Sequence, residues 1–223
     1  MDHRKNWTQK QAELRKALSS KAHFDEASAL FMAQHAAVHC ADISGGLSWS
    51  LQDEVMTGLT EVQIKKVPRP GQNSIVWLLW HITRIEDMTI NTLALDQSQV
   101  WTADWAARLC FPLPDCGASM DDNDVHEFSQ MISVRTILEY RAAVGRRTRE
   151  TVRQLSAEQT KEIVPTEIVQ KLVDEGSINS RANWLYEYYL NRNRGFFLTR
   201  TATSHNFIHL NEAGRIGKKL TAS

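Results

Sequence analysis

The stretch from Asn73 to Asp87, NSIVWLLWHITRIED, constrains the fold more than any other. Pro68, Pro70 and Gly71 break any helix that precedes it. Asn73 or Ser74 can cap a new helix by accepting backbone N–H bonds. Every position from Ile75 to Trp80 is apolar, so this helix has no polar face and is expected to be buried all round. His81 enters where that run ends. An unpartnered buried polar group costs on the order of 1–3 kcal/mol, so its ring nitrogens need partners. Two readings stand open here: a core histidine bonded to a carbonyl, or a metal ligand whose companions come from elsewhere in the chain.

The rest of the chain supplies helices to surround this one. Phe24, Ala27, Phe31, His35 and Val38 fall on one helical stripe, and Ser44-Gly45-Gly46 stops it, which predicts a helix over 24–43. Leu47, Leu51, Val55, Met56 and Leu59 predict a short helix before the proline segment. The central helix spans 74–93. A third long helix covers 133–155, with Ser133 as its cap and Arg146, Arg147, Arg149 and Arg153 on its solvated face. Gly195 turns the chain into a last helix over 196–219. Residues 94–130 form a long connection that Trp101 and Trp105 should pin to the body. Its Phe111-Pro112-Leu113-Pro114 cannot be regular helix. The acidic run Asp121–Asp124 lacks the ligand spacing of a calcium loop and reads as a solvated turn before a short helix through Val125–Phe128. A second connection holds a short helix near Ile168–Val173 and the aromatic segment Arg181–Tyr189. The expectation is an all-α four-helix bundle with long crossover connections and short extra helices. One domain spans 1–223, with 1–20 as a peripheral segment that frays or forms a surface helix around Gln9–Leu18.

Composition narrows the function. Basic and acidic residues balance to a formal net charge of zero, against a dedicated nucleic-acid binder. Cys40, Cys110 and Cys116 are few and odd in number, which fits free thiols in a reducing cytoplasm; a pairing of Cys110 with Cys116 is the lesser alternative. The charged start Met1–Lys5 leads into no apolar core, so no signal peptide is expected. No stretch has the roughly 18 apolar residues of a membrane span. There is no HExxH, GxSxG or CxxC motif and no Gly-rich phosphate loop.

The last helix carries His205 and His209 four residues apart, on one face with Leu198, Ala202, Ile208, Glu212 and Ile216. Two histidines at this spacing can grip one ion, and a third from a facing helix would complete a three-histidine set with open positions. His81 is the natural third. His35 and His39 have the same spacing on the first helix, and pattern alone leaves them in contention.

The segments Ser74–Asp87 and His205–Ala213, HNFIHLNEA, resemble the two signature regions of the DinB/YfiT-like superfamily of bacterial four-helix bundles. The resemblance runs from about Phe24 to Lys219. It implies one divalent ion, zinc or nickel foremost, on His81, His205 and His209, with His35 and His39 outside the ligand set. It also implies thiol-dependent S-transfer or isomerisation with a low-molecular-weight thiol as co-substrate, a small-molecule substrate and a homodimer. Imidazole alone suits zinc, nickel, copper or iron. Insertions at 94–130 and 157–194 depart from the family pattern and reshape the pocket. A metal-dependent hydrolase and a non-catalytic metal-binding or stress-response bundle are the competing readings. Arg84 and Glu212 are the candidate catalytic residues. Arg84 would meet an anionic substrate or else pair with Glu86, Asp87 or Glu212. Glu212 would serve as a partner behind a ligand, an extra ligand or a base.

Overall fold

The computed structural model describes residues 2–19, 24–46 and 49–222. Leu47, expected in the short helix after the first long one, lies outside the described residues. In chain order the helices are α1 His3–Leu18, α2 Phe24–Ala36, α3 Leu51–Met56, α4 Glu61–Lys65, α5 Ile75–Asp87, α6 Ala103–Leu109, α7 Asp122–Met131, α8 Val134–Val152, α9 Thr166–Asp174, α10 Trp184–Tyr189, α11 Arg194–Thr199 and α12 Asn206–Thr221. A π-helical segment, Met88–Ala94, continues α5, and another, Arg200–His205, joins α11 to α12. Among the described residues there is no strand, only an isolated bridge between Ile163 and Asn193. The fold is an all-α bundle built on α2, α5, α8 and the composite last helix.

The central helix is as its composition requires. All thirteen residues of α5 are buried, and Ser74 caps it by accepting from the Trp77 N–H. It packs against α8 and α12, and each of its large apolar side chains contributes roughly 1.5–3 kcal/mol by leaving water. Trp80 sits at the middle of an aromatic cluster with Trp101, Phe111, Phe128 and Tyr140, at centroid distances of 5.3–6.2 Å. Asp87 ties down the long connection, its two carboxylate oxygens accepting from the backbone N–H groups of Val100 and Trp101 at 2.8 and 2.9 Å. Trp101 and Trp105 then pack edge-on or tilted against Tyr140 at 5.7 and 5.2 Å. The 94–130 connection is therefore anchored, and it carries α6 and α7.

Three details differ from expectation. The first long helix stops at Ala36, not near 43, because other groups capture the carbonyls that would continue it. Ala37 O accepts from the Leu51 N–H, Val38 O from Arg141 and His39 O from the Ser50 hydroxyl. Second, residues 2–19 are no frayed surface segment. The helix α1 starts at His3 and buries Trp7, Gln11, Leu14 and Ala17. Gln11 breaks the apolar stripe in the sequence, yet its amide donates to Thr199 O, Thr203 Oγ1 and Ser204 Oγ at 2.8–3.1 Å. Third, Ile208 points outward and is 49% exposed. The π-helical segment Arg200–His205 inserts extra backbone per turn, so residues beyond it leave the face of Leu198 and Ala202.

Candidate metal centre

Three histidines from two parts of the chain converge beside α5. His81 lies in α5, His205 ends the π-helical segment, and His209 comes one turn later in α12. Their ring centroids are 5.0 Å (His81–His205), 5.2 Å (His81–His209) and 4.6 Å (His205–His209) apart. One ring nitrogen of each lies within 4.8 Å of those of the other two. His81 is buried, and the other two are half-buried at the rim.

Hydrogen bonds to the far side of two rings set their tautomers. His81 Nδ1 lies 2.8 Å from Cys116 O. A carbonyl only accepts, so Nδ1 donates and Nε2 keeps its lone pair. The ring also stacks on Trp77 at 4.8 Å and 9°. His209 Nδ1 lies 2.9 Å from Glu212 Oε2 and donates to it in the same way. A carbonyl or carboxylate behind a ligating histidine is the usual arrangement, and it makes the ring a better ligand. Glu212 thus stands where the first of its three expected roles would put it. His205 Nδ1 is buried and finds no partner among the described residues, so of the three rings it alone has no acceptor at Nδ1; the convergence of the three rings is what suits an ion. The residues present fit a divalent cation.

Burial also keeps two of the rings, His81 and His205, neutral. It pushes His81 down to about 4, helped by the neighbouring His209 and opposed by the Cys116 carbonyl. Burial, with His81 and His209 alongside, holds His205 well below the usual histidine range. The His209 hydrogen bond lowers the Glu212 carboxyl. Burial raises the Cys116 thiol to about 12, and what Cys116 presents to His81 is its carbonyl.

The cluster opens on a cavity of about 410 Å³ lined by Trp77, Ile85, Trp184, Tyr188 and Arg200 among others. Trp184, Tyr188 and Tyr189 come from α10, so the insertion after α8 builds one wall. Arg84 does not line this cavity. It is fully buried, with Asp87 Oδ2 at 2.9 Å, Tyr140 Oη at 2.7 Å and Pro114 O at 2.8 Å. The salt bridge is the arrangement it adopts.

His35 and His39 form a second cluster around Glu86, and all three are fully buried. Glu86 Oε1 accepts from His35 Nε2 and Thr148 Oγ1, both at 2.8 Å. Oε2 accepts from His39 Nε2 at 2.9 Å and Asn206 Nδ2 at 3.0 Å. Burial alone would raise this carboxyl, but His39 and His35 with their hydrogen bonds hold it well below the usual range. Burial pushes His39 down to about 3. Arg141, also fully buried, donates to Asn206 Oδ1 and Val38 O, both at 2.7 Å, and supplies the positive charge nearby. The two clusters differ behind the rings. Both Nδ1 atoms here are buried with no partner among the described residues. An ion on the Nε2 atoms would leave two N–H groups facing no acceptor, whereas at His81 and His209 that acceptor is in place.

Sequence reasoning missed Glu86, Arg141, Asn206 and the Cys116 carbonyl. A signal existed for Glu86: an acid inside a helix with no solvent face needs buried donors. A signal existed for Arg141 too: it falls between Ile137 and Val144 on the apolar stripe of α8, where no other arginine of the helix lies.

These features define a class, an all-helical bundle with a three-histidine cluster at its rim beneath an aromatic pocket. The chain belongs to the DinB superfamily, whose family model matches residues 47–187. The matched segment contains His81 and Glu86 and ends before His205 and His209. No curated protein matches the chain. No described helix is long and apolar enough to cross a membrane.

Proposed function

We propose that this chain is a metal-dependent enzyme that uses a low-molecular-weight thiol for S-transfer or isomerisation of a small molecule, with zinc or nickel on His81, His205 and His209. The observation that carries the proposal is the convergence of three imidazoles, with no fourth protein ligand among the described residues, at the wall of a cavity large enough for a substrate. A divalent ion there would favour ionisation of a thiol or water near neutral pH. The chain's own residues do the rest. Cys116 O and Glu212 orient two of the rings. Trp77, Trp184 and Tyr188 exclude water and hold an apolar substrate body. Among the described residues no carboxylate lines the cavity to act as a base for hydrolysis, which favours thiol chemistry over a metal-dependent hydrolase. An open cavity favours an enzyme over a closed, purely structural metal site. We place the protein in the cytoplasm as a homodimer, independent of nucleic acid and membrane.

The test pairs metal analysis with a thiol-transfer assay. Protein loaded with zinc or nickel is incubated with 1-chloro-2,4-dinitrobenzene and either cysteine or glutathione. Thiol consumption that needs the ion and disappears in His81→Ala supports the reading. Metal-loaded protein no faster than metal-free protein with either thiol counts against thiol transfer.

A further inference from the structure

Resting on the thiol reading, we infer that the substrate side of this pocket recognises a small thiol that carries a carboxylate, with Arg200 as the residue that reads the negative charge. Among the described residues the pocket lining holds one permanently charged side chain, Arg200, and no acid. With a divalent ion on the three histidines the pocket is positive, since among the described residues its lining holds no acid and the nearest carboxylate, Glu212, stands behind His209. An occupant that brings negative charge is the complement.

The position of Arg200 makes the recognition specific. Arg200 opens the π-helical segment that His205 closes, so the guanidinium and the histidine cluster lie on one wall, a single wide turn apart. Arg200 Nε donates to Tyr188 Oη at 3.0 Å, which fixes the guanidinium plane against the aromatic wall. Its two terminal NH₂ groups make no hydrogen bond among the described residues. A planar fork held at one nitrogen and free at two others suits a carboxylate bidentately. Trp77, Tyr188 and Trp184, which is 58% exposed, also line the pocket and give it an apolar wall. The ligand class that uses all of these features carries sulfur for the ion, an apolar chain for the aromatic wall and a carboxylate for Arg200. Because Arg200 is exposed, its contribution is that of a rim pair, a several-fold preference rather than a hundredfold one.

Cobalt-substituted protein tests this directly, since a thiolate bound to cobalt adds a charge-transfer band. The probes are 3-mercaptopropionate and its methyl ester, which share the thiol and the chain and differ in charge. Wild type is expected to bind the acid at least fivefold more tightly than the ester. Arg200→Gln should bind the two equally while keeping one cobalt per chain and the wild-type affinity for the ester. Equal affinity of wild type for acid and ester overturns the inference alone. A preference for the acid that survives in Arg200→Gln also overturns it, by placing the carboxylate elsewhere. A bound cobalt ion whose spectrum ignores both thiols overturns the thiol reading, and the inference with it.

Discussion

Replacing Glu86 with Gln changes a side chain little in shape and much in charge, at a point where every neighbour is arranged for the charge. The Glu86 carboxylate accepts four hydrogen bonds, from His35, His39, Thr148 and Asn206, at 2.8–3.0 Å. A glutamine offers one acceptor and one donor there, so the two donors facing its NH₂ lose their partner. The Arg141 guanidinium, one residue away through Asn206, also loses its nearest compensating charge. Hydrogen bonds to a charged group are worth about 1.5–3 kcal/mol each. Removing one partner of a buried charge pair costs about 3–5 kcal/mol. Both describe the same loss, so the expected cost of Glu86→Gln is about 3–5 kcal/mol, against a total of about 5–15 kcal/mol for an ordinary domain. Urea unfolding of the metal-free protein, monitored by circular dichroism, measures it as a lower midpoint at unchanged slope. Adding Arg141→Met should recover part of the loss, because the stranded charge is gone. A loss below about 1 kcal/mol, or a double variant less stable than Glu86→Gln, would refute the reasoning.

Gly145 in α8 makes room for His39, since a Cβ there would stand 2.6 Å from His39 Nδ1. Gly145→Ala is expected to destabilise by roughly 1–3 kcal/mol of overpacking, less the ~1 kcal/mol a helix gains on Gly→Ala; a more stable variant in urea unfolding would contradict it. On acidification, His39 stays neutral in the fold down to about 3 and His81 to about 4, whereas both take up a proton near pH 6.5 when unfolded. The unfolded chain then binds more protons, so metal-free stability should be full above pH 6.5 and fall steadily toward pH 4; a urea midpoint that rises over that range would show the sign to be wrong. His35→Ala with His39→Ala should leave one ion per chain by elemental analysis, and loss of the ion would mean the wrong pair was chosen as ligands.

The fold was legible where composition leaves the backbone no choice. A helix apolar from Ile75 to Trp80 has to be central, and Ser74 and Ser133 cap their helices as the pattern required. The end of α2 was not legible, because it is set by groups far along the chain, Arg141 and Ser50, that take up its carbonyls. The depth of α1 was hidden by Gln11 and Gln34, polar residues that satisfy each other and the last helix inside the core. Spacing paired His205 with His209 and equally His35 with His39; the family resemblance settled on the first pair with His81, while the surroundings of Glu212 and Arg84 needed coordinates. Glu212 stands behind His209, and Arg84 spends its donors on Asp87, Tyr140 and Pro114. The π-helical segment that turns Ile208 outward has no sequence signature visible here.

The central claim is that His81, His205 and His209 hold one divalent ion that ties α5 to the end of the chain. Elemental analysis after loading with zinc or nickel, paired with thermal unfolding at a hundredfold excess of free ion over its dissociation constant, tests it most directly. Such an excess stabilises by about 2.7 kcal/mol, which for a chain of this length is a rise in Tm of roughly 5–10 °C. One ion per chain and that rise are expected in wild type, with both reduced in each single alanine variant and lost in His205→Ala with His209→Ala. Wild-type protein that stays free of metal, with an unchanged Tm after zinc or nickel is added, would contradict the site and the enzymatic reading built on it.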